Sequence, residues 1–254
     1  MQYVDKLMTI LILSLLLVMN STDCSAGKDN WSELAQRLSG ESEPARTKVV
    51  QSLWKIPSLE ANLRRELVSE KRFLAVDVIS ALKLNSLLPD LLALSEEDET
   101  GFFYNAINSM ITEKNRSEIM GIYRQRVIRE ETPPAAKVVL LDTLGRLFIP
   151  LEVSDLKQLL VDISPDVRSA ALYYLRSFIL NTKNQDFLPL LSSVLSSEPF
   201  QLRVQAIHFL MEIDASLSSR FRSSVKDCLK DANLEVRKAC SLLEVKMQRR
   251  GTVL

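Results

Sequence analysis

Apolar residues recur along this chain at steps of three and four, the spacing that places them on one face of an α-helix. The most regular pattern is an apolar residue followed, four and eight places on, by two more. Seven segments fit this frame, and they begin at residues 45, 74, 103, 136, 167, 202 and 236. Their starts are 29 to 35 residues apart, and only Glu244 in the last segment breaks the apolar rule. A repeat of this length predicts stacked helix pairs that bury their apolar faces against one another.

Shorter apolar segments precede these frames and are separated from them by polar or proline-containing breaks. Leu156–Val161 is followed by Ser164 and Pro165, and Leu188–Leu191 is followed by Pro199. Proline suits a helix start, because the N–H that it lacks would have no partner there. Strand signals are nearly absent, since the chain has 6 glycines and no Asn-Gly or Asp-Gly turn. We therefore predict an all-α fold of about seven helix pairs.

Two of the frames are preceded by the same spacing of an Asp and a Val-Arg pair. Residues 162–168 read Asp-Ile-Ser-Pro-Asp-Val-Arg, and residues 231–237 read Asp-Ala-Asn-Leu-Glu-Val-Arg. These residues resemble the HEAT repeat family, whose second helix typically carries Val-Arg-x-x-Ala-x-x-x-Leu with an Asp five places before the Val. The resemblance is strongest over residues 153–247, and Lys137 keeps the positive charge at the arginine position of an earlier repeat.

This resemblance implies a right-handed α-α superhelix, a HEAT-like solenoid. In the family, the Asp and Arg side chains link successive repeats by a ladder of hydrogen bonds. Carried over to this sequence, the ladder would consist of Asp162, Arg168, Arg203, Asp231 and Arg237.

The first thirty residues follow a different pattern. Lys6 precedes an apolar run of 13 residues at 7–19, and small residues follow at 25–27. This is the arrangement of a secretory signal peptide. We predict a signal peptide at 1–26 that is cleaved after Ala26, and a single solenoid domain at 27–254.

Other interpretations of the leader stay open. A run of 13 residues is short of the roughly 20 that cross a bilayer, but it could be an uncleaved anchor or a buried first helix. Lipidation of Cys24 is disfavoured, because the preceding Ser21-Thr22-Asp23 does not resemble a lipobox.

The charge balance argues against nucleic-acid binding. The chain has 32 basic and 32 acidic residues, and loss of the leader leaves it nearly neutral. A basic face is needed to displace counterions from phosphates, and the same balance gives no reason to expect attraction to anionic membranes. We expect an exported protein, periplasmic or secreted, with a protein partner, no nucleic acid and no membrane insertion after processing.

Candidate chemistry is sparse. His208 is the only histidine and lies in an apolar helix segment, and neither a Gly-x-Ser-x-Gly motif nor a phosphate-binding glycine loop occurs. We therefore expect neither catalytic residues nor a cofactor. Cys228 and Cys240 lack the nearby histidine and the spacing of a zinc site, so no metal is expected either. These two cysteines could pair as a disulfide or stay buried as free thiols.

The face opposite the buried frame is the candidate partner surface. Each helical residue advances about 100°, so the sixth position after a frame start points away from the core. In HEAT-like stacks the second helices line the concave face. Toward the C-terminus these positions become aromatic and apolar, and with one neighbour they form a candidate binding strip of Tyr173, His208, Met211 and Leu242. The alternative is burial of this strip between adjacent repeats, the usual fate of an apolar helix face.

The function predicted from the sequence is that of an exported, non-catalytic scaffold that presents this concave face to a protein partner. Two alternatives remain open. One is a HEAT-like enzyme or cofactor-handling protein similar to the bilin lyases, and the other is a regulatory subunit whose leader is not cleaved.

Overall fold

The computed structural model of the protein describes residues 49, 50, 53, 59–196, 199–213 and 219–251. All regular elements within these residues are helices, which confirms the all-α prediction. The predicted signal peptide at 1–26, Cys24 and most of the first repeat segment lie outside the described residues.

Twelve α-helices, connected by turns and three short 3-10 segments, occur in the described part of the chain. They are α1 (Leu59–Glu66), α2 (Arg72–Leu82), α3 (Leu88–Leu94), α4 (Phe102–Ser109), α5 (Glu113–Val127), α6 (Pro134–Arg146), α7 (Val153–Leu159), α8 (Pro165–Thr182), α9 (Leu188–Leu195), α10 (Phe200–Glu212), α11 (Arg222–Cys228) and α12 (Leu234–Gly251).

The helices belong to two compact units. The first extends to Glu97 and includes Phe102–Ile111, and the second comprises Asp98–Gly101 and the chain from Thr112 onward. In both units each odd-numbered helix packs against the even-numbered helix that follows it. Successive even-numbered helices also contact one another, α2 with α4 in the first unit, and α6 with α8, α8 with α10 and α10 with α12 in the second.

The apolar frame of the sequence coincides with the even-numbered helices. In α6, α8, α10 and α12 the frame begins at the third residue of the helix. The frame positions of α6, α8 and α10 are at most 3 % exposed, and they are Ala136, Leu140, Leu144, Val167, Ala171, Leu175, Leu202, Ala206 and Leu210. The pattern therefore identified the buried side of each of these helices.

Local residues set the ends of α8, which packs against both α6 and α10. Pro165 is its first residue, and the Ser164 hydroxyl oxygen accepts a hydrogen bond from the Val167 N–H at 3.5 Å. At the other end Lys183 adopts the left-handed conformation with φ 55°, and its N–H donates to the Ile179 carbonyl. These are the usual devices for satisfying backbone groups at helix ends.

Equivalent positions of successive even-numbered helices lie side by side. In the first unit the hydroxyl oxygens of Ser80 and Ser109, both at the sixth position of their frames, are 2.5 Å apart. In the second unit Lys137 contacts Asp162 (Nζ to Oδ2, 3.1 Å), and Arg203 contacts Asp231 (Nη2 to Oδ1, 2.9 Å). Each cation is one place after a frame start, and each carboxylate is five places before the next frame.

Two of the five predicted ladder residues donate hydrogen bonds to the turn before their own helix. The Arg168 Nη1 donates to the carbonyls of Asp162 at 2.6 Å and Ile163 at 3.0 Å. Arg237 makes the same pair of bonds to Asp231 and Ala232, at 2.6 and 2.8 Å. Among the described contacts, each of these two arginines therefore braces the turn that precedes its own helix, and a link from Arg168 and Arg237 to successive repeats stays a prediction.

The last helix pair is cross-linked. Cys228 at the end of α11 and Cys240 in α12 form a disulfide, with Cα atoms 6.2 Å apart. This separation is within the range that a disulfide spans. Of the two alternatives for these cysteines, the structure has the bonded one.

The Arg203–Asp231 contact makes the stability of the second unit depend on pH. Burial alone would raise the pKa of Asp231, but the Asn233 N–H and the Arg203 guanidinium outweigh burial and hold this pKa below its usual value of 3.8. A carboxyl with a depressed folded-state pKa contributes stability that is present above the unfolded pKa and is lost as pH falls through the folded one.

We predict that Asp231→Asn lowers the free energy of unfolding at pH 7 by about 2 kcal/mol, since a charge-assisted hydrogen bond is lost. As pH falls below about 3.8 and through the lower folded-state pKa of Asp231, the variant and the wild type should converge, because the wild-type carboxyl becomes protonated there. Thermal unfolding monitored by circular dichroism from pH 2 to 7 measures both effects. Asp227→Asn, at an exposed position of α11, is the control. A constant difference between Asp231→Asn and the wild type at all pH values would contradict the prediction.

Candidate functional site

A groove of about 1180 Å³ lies within the second unit. Three helices line it. In each helix the lining residues recur every three or four places, so they lie on one face of that helix. These residues are Pro134, Ala135, Val138, Val139 and Asp142 of α6, Asp166, Ser169, Ala170, Leu172, Tyr173 and Arg176 of α8, and Gln205, His208, Phe209 and Glu212 of α10, with Glu99 and Thr100 from the preceding loop.

Two contacts align α6 with α8 under this groove. Near the helix starts the Lys137 ammonium contacts Asp162, and near the ends the Ser177 hydroxyl donates to the Gly145 carbonyl at 3.3 Å. The start of α6 thus lies beside the start of α8, and the end of α6 lies beside the last turns of α8. The two helices therefore run in the same direction. A chain segment lying in the groove would thus meet equivalent faces of neighbouring helices.

The floor of the groove is apolar. Leu172 and Phe209 are buried there, and the aliphatic side chains of Val138 and Val139 are half-buried. Tyr173 is 53 % exposed, although it is a large aromatic residue. An exposed aromatic side chain on an apolar floor with a polar rim is typical of binding sites.

The rim carries more carboxylates than cations. Arg176 is paired with Glu212, since its Nε and Nη2 lie 2.7 and 2.6 Å from Oε2. The same guanidinium lies over the Tyr173 ring, with its Cζ 5.6 Å from the centroid. Asp142 pairs with Arg146 of its own helix at 3.0 Å, and that arginine does not line the groove.

Two further carboxylates belong to the rim, Glu99 and Asp166. Both are exposed, and neither makes an ion pair with another described residue. The groove therefore has an excess of negative charge at these two positions.

The loop that supplies Glu99 is held rigidly. The Asp98 carboxylate, which is buried, accepts hydrogen bonds from the N–H groups of Thr100 (2.9 Å) and Gly101 (3.1 Å) and from the Thr100 hydroxyl (2.7 Å). Gly101 has φ +77°, and a Cβ there would lie 2.8 Å from Cγ2 of Val139. Only glycine fits this conformation and this approach to α6 without strain.

The structure brings two of the four candidate strip residues together. Tyr173 and His208 both line the groove, whereas Met211 and Leu242 do not. The alternative that neighbouring repeats bury this strip is wrong for Tyr173 and for Leu242, which is 64 % exposed. The sequence did not predict the acidic rim, because the run Glu96-Glu97-Asp98-Glu99 is typical of a solvated turn between helices, and the place of Glu99 beside the groove depends on tertiary packing.

Tyr174, next to the exposed Tyr173, anchors α8 on its buried side. Its hydroxyl accepts a hydrogen bond from the Leu151 N–H and donates one to the Ile149 carbonyl, both at 2.8 Å. Burial raises the pKa of Tyr174 to about 12, and the bond from Leu151 only partly offsets this rise. The neutral hydroxyl thus ties α8 to the segment between α6 and α7 and fixes the orientation of Tyr173.

Other kinds of site find no support in the part of the chain that the structure describes. No three or more His, Cys, Asp or Glu residues there are grouped so that they could hold a metal ion. None of the described helices combines the length and the apolar character needed to span a bilayer. In comparisons with known proteins, no family model and no curated protein matches the chain.

We predict that Gly101→Ala destabilises the protein by more than about 1 kcal/mol, because alanine is strained at positive φ and its Cβ meets Val139. Gly121→Ala is the matched control, since a Cβ at that helical position in α5 meets nothing within 4 Å. There alanine should be neutral or stabilising by up to about 1 kcal/mol. Urea unfolding of both variants tests this, and equal effects of the two substitutions would contradict it.

Proposed function

We propose that this chain is an exported, non-catalytic scaffold that binds a protein partner in the groove of α6, α8 and α10. The observation that carries this proposal is the half-exposed Tyr173 ring on an apolar floor. Tyrosine is enriched at interfaces, because it buries a large apolar area with little loss of conformational entropy. Grooves between helices commonly take a peptide segment or the apolar face of a partner helix.

We also propose that the fold is a HEAT-like solenoid of about seven helix pairs. Support comes from a contact between successive helix pairs that recurs two repeats further on, with Lys137 on Asp162 and Arg203 on Asp231 at equivalent frame positions. The twelve described helices would make six pairs. The segment that begins at residue 45 would supply the second helix of the seventh.

Export is the third part of the proposal. The leader at 1–26 has the composition of a secretory signal. The disulfide between Cys228 and Cys240 supports the same compartment, because such bonds persist in the periplasm and outside the cell and are rare in the cytosol.

We predict that Tyr173→Ser weakens partner capture by about 30-fold, the cost of truncating a central interface aromatic. Its melting temperature should stay within about 2 °C of the wild type, because surface substitutions change stability little. Leu242→Ser is the matched control, since Leu242 is also exposed and apolar but lies outside the groove. The measurement is quantitative mass spectrometry after affinity capture from the native compartment, alongside thermal unfolding.

Two outcomes of this experiment would contradict the proposed function. One is equal capture by the wild type and Tyr173→Ser. The other is a large loss of melting temperature in Tyr173→Ser, which would make Tyr173 a structural residue.

We predict that the protein purified from its native host begins at Gly27 and that its two remaining cysteines resist alkylation until a reductant is added. Both features follow from signal cleavage and oxidation after export. Intact-mass spectrometry with and without reductant measures them together. A chain that begins at Met1 and is alkylated without reductant would overturn the export part of the proposal.

A further inference from the structure

We propose that the groove binds an amphipathic helix that places a lysine or arginine at the end of the groove where Glu99 and Asp166 lie and an apolar side chain on Tyr173. This inference rests on the proposed function, because it specifies the chemistry of the partner in the same groove. Its basis is the combination of an apolar floor with two carboxylates that have no cationic partner among the described residues.

The two carboxylates lie at the same end of the groove. Asp166 is in the first turn of α8. Glu99 is held by the turn whose Gly101 approaches the Ala135 carbonyl carbon and oxygen, near the start of α6. Since α6 and α8 run in the same direction, both carboxylates lie at the end of the groove where these two helices start. Positive charge on a partner would be attracted to this end of the groove by both carboxylates.

Away from that end the charge is balanced. Arg176 and Glu212 neutralise each other there, and the guanidinium packs on one side of the Tyr173 ring. A second cation at this position would meet Arg176 and be repelled. The groove therefore favours a partner with positive charge at one end and apolar side chains further along.

The dimensions suit a helix. Axes of packed helices are about 8–10 Å apart, so three side-by-side helices span about 20 Å. A partner helix is about 10–12 Å wide. From Asp166 to Tyr173 the backbone of α8 rises about 10 Å at 1.5 Å per residue, which equals the rise between positions i and i+7 of a partner helix. A basic residue and an apolar residue seven places apart would thus reach the carboxylates and the tyrosine.

The test is a selection from a displayed library of randomised 18-residue amphipathic helices against the full processed chain. Binders that fail to bind Tyr173→Ser are groove binders. We expect these to be enriched in Lys or Arg seven places from an apolar residue. Groove binders without that enrichment overturn the inference about charge and leave the groove function in place. If no peptide depends on Tyr173, both the inference and the proposed groove fail.

Charge reversal checks the assignment to Glu99 and Asp166. We predict that the double variant Glu99→Lys/Asp166→Lys weakens the best cationic peptide at least about tenfold by fluorescence anisotropy at low salt, with a smaller effect at high salt. Glu118→Lys/Asp227→Lys changes the net charge equally, at exposed carboxylates outside the groove, and should change the affinity less than about twofold. If the lysine variant unfolds, Glu99→Gln/Asp166→Asn replaces it. Equal losses in the rim variant and the control overturn the inference.

Discussion

Lateral contact between equivalent helices, through one largely buried cation and one largely buried carboxylate, is the interaction on which the second unit depends. The side chains of the Lys137–Asp162 and Arg203–Asp231 pairs are between 10 % and 14 % exposed. Desolvating such ions costs several kcal/mol unless further hydrogen bonds satisfy the carboxylate. Those bonds come from the turn itself, since Oδ1 of Asp162 accepts the Ser164 N–H at 2.9 Å and Oδ1 of Asp231 accepts the Asn233 N–H at 2.8 Å. The pairs therefore specify register between helices more than they add net stability.

Register has a direct consequence for the groove. When neighbouring helices run in the same direction with equivalent residues abreast, every side chain opposite the core stands beside its counterpart from the next helix. Tyr173 and His208 are such counterparts, each at the sixth position of its frame, and both line the groove. The Arg176–Glu212 ion pair joins the same two helices, α8 and α10. Glu99 of the acidic rim comes from the Asp98–Gly101 turn, in which Asp98 stands five places before the frame at residue 103, as Asp162 and Asp231 do before theirs.

Sequence periodicity predicted the all-α fold, the buried frame and the groove position of Tyr173, because these depend on 3.6-residue geometry within single helices. It did not predict the place of Glu99, which depends on the left-handed conformation of Gly101 and on three hydrogen bonds to Asp98. Nor did it predict that Arg168 and Arg237 bind their own turns, since the choice between near carbonyls and a distant carboxylate depends on tertiary packing. Leu242 matched the pattern but lies outside the groove for the same reason.

Adjacent tyrosines show how the fold separates stability from recognition. Tyr174 is fully buried, stacks on Phe178 with ring centroids 5.8 Å apart and bonds two backbone groups of another segment. Tyr173, one residue earlier and about 100° around the helix, meets solvent and the Arg176 guanidinium. Because the packing constraints fall on Tyr174, the side chain at 173 can vary with the partner at little cost to folding. A large aromatic residue left half-exposed at such a free position is better explained by a binding partner than by the needs of the fold.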